Sequence, residues 1–263
     1  GDGAPRDILT APLSSLRVTM AGPTTDYAQY WNIAIQGSGA SGTLTAINAA
    51  LGQFRYTFPA TTLVPATAQG SFGFGLEGYI TVGVDRFAAI NPVFYASTDA
   101  NPVVPREQVV EMANCNKCHY QLRMHGGGRT NPEYCVMCHH PTNTNDDRVA
   151  RFESSTVQVE SVHFKVMIHK IHMGEKLTQP FVLGGYPPPS AANPAGTPHN
   201  FGEVRFPGNQ NVCTTCHVGD SYQIPLDDML PSRRETLTGT EDPAADGDSY
   251  CNTRASTETF LPP

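Results

Sequence analysis

No run of about 20 apolar residues occurs in the 263-residue chain, so no segment reads as a helix able to span a bilayer. The opening Gly1-Asp2-Gly3-Ala4-Pro5-Arg6-Asp7 lacks both a basic n-region and an apolar h-region, so no signal peptide is expected there. Basic charge is scarce: 17 Lys and Arg stand against 24 Asp and Glu, a formal charge of −7. That balance disfavours nucleic acid and anionic membrane as partners. Apolar residues make up only 39%, beside 24 Gly and 22 Pro, which is lean for one large core. The length fits a single domain at its upper limit or two modest ones. Residues 1 to 104 hold no cysteine and no histidine, so thiol and imidazole chemistry is confined to residues 105–263.

Residues 105–263 hold three copies of Cys-x-x-Cys-His: Cys115-Asn116-Lys117-Cys118-His119, Cys135-Val136-Met137-Cys138-His139 and Cys213-Thr214-Thr215-Cys216-His217. This is the attachment signature of c-type haem. Two thiols at that spacing add across the haem vinyl groups as thioethers, and the next residue binds the iron from one face. The motifs use six of the seven cysteines and predict three covalent haems c, each with its iron. A closed four-cysteine zinc site needs pairs in even number and no histidine after each pair. A thioredoxin-like pair needs one motif beside a βαβ pattern, which is absent. A disulfide framework suits short secreted chains rather than one of 263 residues. Haem also supplies apolar surface that the composition lacks. Three haems, each with two propionates against a ferric centre of net +1, take the total charge to about −10, which suits cationic or metal-bearing acceptors. Haem c is attached outside the cytoplasm, so the chain is expected to be exported, as a mature product or an excised piece.

The two parts of the chain differ in pattern. In residues 1–104, Leu16, Val18 and Met20 alternate with Ser15, Arg17 and Thr19, and Trp31, Ile33 and Ile35 alternate with Asn32 and Ala34. Phe54, Tyr56 and Phe58 alternate likewise, and the longest series is Phe72, Phe74, Leu76, Ile80 and Val82, interleaved with Gly73, Gly75 and Thr81. Period-2 runs bounded by Gly, Pro, Ser and Thr predict an antiparallel β-sandwich or Greek-key barrel, with Trp31 in its core. Leu44 to Leu51 reads as a short helical turn. From residue 105 a haem-packed domain of few short helices and long loops is expected, running to 263 with an irregular tail over 240–263. Pro105 followed by Glu107, Gln108 and Glu111 predicts a helix start. Ser161 to Met173 predicts a second helix, with Ser161 as N-cap and Gly174 as C-cap. The Pro- and Gly-rich Glu175 to Val212 reads as a loop wrapping haem edges.

His119, His139 and His217 are the proximal ligands, which leaves six of nine histidines for the opposite iron faces. His169 and His172, flanked by Met167, Ile171 and Met173, lie at i and i+3 on the predicted helix. Side by side, they serve two different haems. His125 opens His125-Gly126-Gly127-Gly128-Arg129, where glycines let backbone pass close to a macrocycle and Arg129 can meet a propionate. His140 is expected to point away, and His163 and His199 are held in reserve. Axial thioethers from Met124, Met137 or Met173 are disfavoured by the surplus of imidazoles.

Several stretches together resemble a known family: Leu122-x-x-His125-Gly-Gly-x-Arg129, Tyr134-Cys-Val-x-Cys-His139-x-Pro141, Phe164 to Gly174, and Val204-x-Phe-Pro207 leading to Cys213. With the first haem motif and the Phe72 to Val82 strand, they resemble the outer-membrane decahaem cytochromes of metal-reducing bacteria, the OmcA/MtrC family. The resemblance implies an extracellular or outer-membrane-surface conduit of alternating β-barrel and pentahaem modules, with His125, His169 and His172 as distal ligands. It implies other cytochromes or a porin–cytochrome conduit as partners, and a metal oxide or flavin as acceptor. The chain departs from the pattern at His140, where the family commonly has Asn. Two further haem motifs of a pentahaem module are missing, and Cys251 has no histidine after it. A fragment of a longer cytochrome or a three-haem relative is therefore expected. Its function is an electron relay through closed bis-histidine haems rather than an enzyme activity, or else a subunit of a self-assembled cytochrome filament. A nitrite- or hydroxylamine-type reductase needs an open iron position, which three complete motifs and spare histidines argue against.

Overall fold

Strand β1 (Ser15–Gly22) lies between β2 (Gln29–Gln36) and the long β5 (Ser71–Val82), all antiparallel. The computed structural model describes residues 4–60, 68–145, 152, 159–223, 229–230, 232–234 and 259–260. Its contacts divide the chain into two units, Gly1–Met137 and Cys138–Pro263. The division falls inside the second Cys-x-x-Cys-His motif, later than the change of sequence pattern near residue 104.

In the first unit, the far edge of β5 is shared by β6 (Asp85–Ala88) and β7 (Val93–Ser97), completing a five-stranded sheet. Register explains the alternation. Met20 faces Trp31 and Phe74, Val18 faces Ile33 and Leu76, and Ile80 faces Phe87, so one face of the sheet is apolar. Trp31 is half-buried and packs near Phe72, at 6.5 Å between ring centroids. The opposite face holds Thr19, Gly73, Gly75 and Glu77, with Arg17 paired to Glu77.

A closed barrel or second packed sheet is not found among the described residues. Strands β3 (Thr43–Asn48) and β4 (Gln53–Thr57) form a separate ribbon. Every residue of β3 but Leu44 is exposed. Period-2 patterning marks a strand with two unlike faces, and says nothing of whether another sheet lies against it. The helical turn expected at Leu44–Leu51 shrinks to a 3-10 turn at Ala49–Leu51, capped by Asn48.

The chain then leaves the sheet extended, and not as the helix expected from Pro105. Val104 N donates to Ser71 Oγ (2.8 Å), Thr24 Oγ1 donates to Val104 O (2.7 Å), and Arg106 pairs with Asp26 (3.5 Å). These ties hold the strap straight until Glu111, the N-cap of α1 (Met112–His119). Helix α2 (Pro132–Cys138) comes next.

In the second unit, α3 (Phe164–Met173) starts three residues later than Ser161, because Ser161 pairs with Thr144 and its Oγ accepts from His163 N. Gly174 ends it as expected, its N–H donating to Lys170 O. The core there is small: Val162, Met167 and Phe181, flanked by Phe164, Ile168, Ile171, Leu177, Leu183 and Phe201. The Glu175 to Val212 stretch is mostly irregular, with a minimal ladder of β8 (Val182–Leu183) and β9 (His199–Asn200). A second ladder pairs β10 (Arg233–Arg234) with β11 (Thr259–Phe260), the latter inside the 240–263 tail expected to be irregular. Among the described residues no helix is long and apolar enough to cross a membrane.

Candidate functional site

The first motif occupies α1. Cys115 is half-buried, and Cys118 and His119 are exposed on the last turn. Tyr120 ends the helix at φ 54°, and Leu122 N donates to Asn116 Oδ1. Met124 and Arg129 then pair across a tight loop whose residues His125, Gly126 and Gly127 are left-handed in succession (φ 51°, 69°, 85°). That conformation suits glycine and strains histidine, and such strain gathers at functional sites. The loop is fixed from beneath by the buried Asn91. Its Nδ2 donates to Gly128 O (3.0 Å) and its Oδ1 accepts from Thr130 N (2.9 Å). Arg129, expected near a propionate, has its Nε on Glu77 Oε2 at 2.9 Å.

The second motif rides on α2, and the sheet is shaped to receive it. Tyr134, Cys135 and Met137 are buried. A Cβ on Gly75 would run into the Tyr134 ring and lie 2.9 Å from Met137 Sδ. The glycines interleaved in β5 thus form the groove for this helix, a role the alternation did not reveal, although glycine inside a strand signals close approach. The Tyr134 hydroxyl bridges Thr19 Oγ1 (2.8 Å) and Glu77 Oε2 (3.2 Å), which satisfies the polar face of the sheet. Burial pushes the Cys135 thiol up to about 12, with Arg129 opposing and Cys115 reinforcing the rise. Such a site resists the thiolate that zinc requires and accepts an uncharged thioether. None of the six motif cysteines is in a disulfide. The residues therefore fit covalent haem.

Beyond the helix, His139 Nδ1 donates to Val162 O (2.9 Å). His140 is buried, with Nδ1 3.0 Å from Thr142 Oγ1. Burial, and next the adjacent His139, push it down to about 4, so it is a neutral structural imidazole. His163 is also buried, 2.8 Å from Ser232 Oγ, and His199 is exposed on β9.

The third motif forms a 3-10 turn at Cys213–Thr215, and His217 N closes on Cys213 O. Its ring lies near that of His169 of α3, with centroids 6.1 Å apart and planes at 29°. His169 Nδ1 donates to Lys165 O (2.5 Å), and His217 Nδ1 lies within hydrogen-bond reach of Ser221 Oγ (3.3 Å). Metal-bound histidines hold their second nitrogen in this way, which fixes the tautomer and turns Nε2 to the metal. His172, one turn along α3, donates from Nδ1 to Ile168 O (2.9 Å), and its ring meets Phe206 edge-on. Of the expected ligands, the structure brings His169 to His217 and sets His172 apart from that pair. Cys251 lies outside the described residues.

Paired cysteines on short turns, each followed by a histidine held through Nδ1 or set at a helix end, define a c-type cytochrome. Residues 107–256, more than half of the chain, match the family described as "Outer membrane cytochrome MtrC/MtrF-like, domains II/IV", and the chain belongs to that family. Membership brings c-type haem and a place at the outer-membrane or extracellular surface. The crystal structure of the outer membrane decaheme cytochrome OmcA matches with a TM-score of 0.49 and 19% identity, over 77% of this chain and 34% of that one. The chain thus spans about a third of that protein's length. No curated protein matches.

Proposed function

We propose that this chain carries single electrons through three covalent, bis-histidine haems toward an extracellular acceptor. Cys115 and Cys118, Cys135 and Cys138, and Cys213 and Cys216 attach them, and His119, His139 and His217 are the proximal ligands. His125, His169 and His172 are the distal ligands. The haem supplies a one-electron iron couple. Residues 105–263 do this work, and the sheet of residues 1–104 gives the first two sites their platform.

The observation that carries this reading is the His169–His217 pair. Imidazoles bound to one metal through bonds of about 2 Å on each side have ring centroids about 6 Å apart, and the pair stands at 6.1 Å. An iron held by both His169 and His217 would have no position left for a small substrate, which favours a relay over a reductase at that haem. The donor in this reading is another cytochrome, and the acceptor a metal oxide or flavin. Cyanide added to the oxidised protein and carbon monoxide added to the reduced protein test it. No rapid ligand binding is expected at any haem, and rapid binding at one haem contradicts a pure relay.

A further inference from the structure

Helix α3 ends under a strap of chain, Val204 to Gln210, that leads into the third haem motif. The strap docks by backbone. Glu175 N donates to Val204 O (3.1 Å), and Gly174 (φ 40°) sits so close that a Cβ there would collide with Val204 O. Two side chains of the strap then reach His172. Gln210 Nε2 donates to the His172 carbonyl (2.6 Å), one of the acceptors left over where a helix ends. Lys176 Nζ donates to Gln210 Oε1 (2.7 Å), which fixes the orientation of the amide. The Phe206 ring meets the His172 imidazole at 89°, 5.7 Å between centroids. Rotation of an imidazole about its terminal torsion is soft, and the Nδ1 hydrogen bond to Ile168 O holds one edge of the ring. An aromatic edge contact restrains it further.

We propose that Phe206 and Gln210 are positioning residues that fix the plane of the His172 imidazole toward its haem. This rests on His172 being a distal ligand. The plane of an axial imidazole sets the anisotropy of a low-spin ferric haem and bears on its potential. The strap therefore links the haem served by His172 to the attachment turn of the third.

The test is electron paramagnetic resonance and redox titration of the oxidised holoprotein, with haem content measured by pyridine haemochrome. His172→Ala is expected to turn roughly one third of the iron high-spin. Phe206→Ala is expected to keep all haem, but to shift one low-spin signal and one potential. Phe206→Tyr should restore both, and Gln210→Ala should shift the same signal less. Arg205→Ala, on the same strap but exposed in its pairing with Glu175, should change nothing. If His172→Ala opens a haem while Phe206→Ala and Gln210→Ala leave every signal in place, the positioning role is wrong and the ligand assignment stands. If His172→Ala leaves all haems low-spin, the ligand assignment fails, and the positioning role falls with it.

Discussion

Among the imidazoles proposed to bind iron, those of His139, His169, His172 and His217 hold Nδ1 against a carbonyl or hydroxyl oxygen, as the buried His140 and His163 also do. Within that proposed set of four, only at His217 is that partner a side chain, Ser221, which makes this contact open to mutation. Donation from Nδ1 makes the imidazole a stronger ligand and favours ferric iron. Ser221→Ala should therefore raise the potential of one haem. A hydrogen bond of about 1 kcal/mol corresponds to a few tens of millivolts for a one-electron couple, readable by spectroelectrochemistry. His169→Ala should make that same haem high-spin and leave the others six-coordinate. If it opens none, the His169–His217 pairing has no role at iron. The motif cysteines and their histidines were legible in the sequence because the chemistry is local, within five residues. His169 and His172 were singled out because apolar neighbours argued against a solvated face, although the His169 side chain is exposed on the helix. The pairing of His169 with His217 was not legible, since the rings are 48 residues apart and only the fold sets their distance. For the same reason the sequence did not reveal where Arg129 bonds. Its partner Glu77 lies 52 residues away on a strand whose polar side looked solvent-facing.

At the scale of elements, α2 and β5 belong together. The alternation correctly gave β5 its length, but did not say what lies over the face that carries Gly73 and Gly75. That face is covered: Thr19 is fully buried and Glu77 is 8% exposed, with Tyr134 bonded to both. Gly75→Ala drives a methyl into the Tyr134 ring, and should cost about 1–3 kcal/mol of stability by overpacking. Gly78→Ala, on the same strand, meets only the tips of Leu16 and Leu13 and the Ser15 carbonyl at 3.3–3.5 Å, and should cost less. Denaturant titration of both variants compares them directly, and equal midpoints would separate α2 from the strand. Tyr134→Phe leaves Thr19 and Glu77 short of a partner in a buried place, and should cost about 1–2 kcal/mol in the same assay. The helix expected at Pro105 failed because acidic residues after a proline also suit an extended strap. Ser71, Thr24 and Asp26, all distant in sequence, tied this one down.

Over the whole molecule, a lean apolar composition goes with a small core in the second unit and with three Cys-x-x-Cys-His motifs. Three complete motifs should yield three haems per chain that acid–acetone does not extract. A pyridine haemochrome assay checks the number, and Cys251 should carry none. The β-sandwich or barrel was the part of the architecture that patterning could not deliver, because alternation fixes the faces of a strand and not the number of layers. The central claim is that every iron is closed by two histidines, and electron paramagnetic resonance of the fully oxidised protein, integrated against covalent haem, tests it most directly. Three low-spin ferric centres per chain with no high-spin signal are predicted. A high-spin centre in the native protein, or a low-spin count below the haem count, would contradict it.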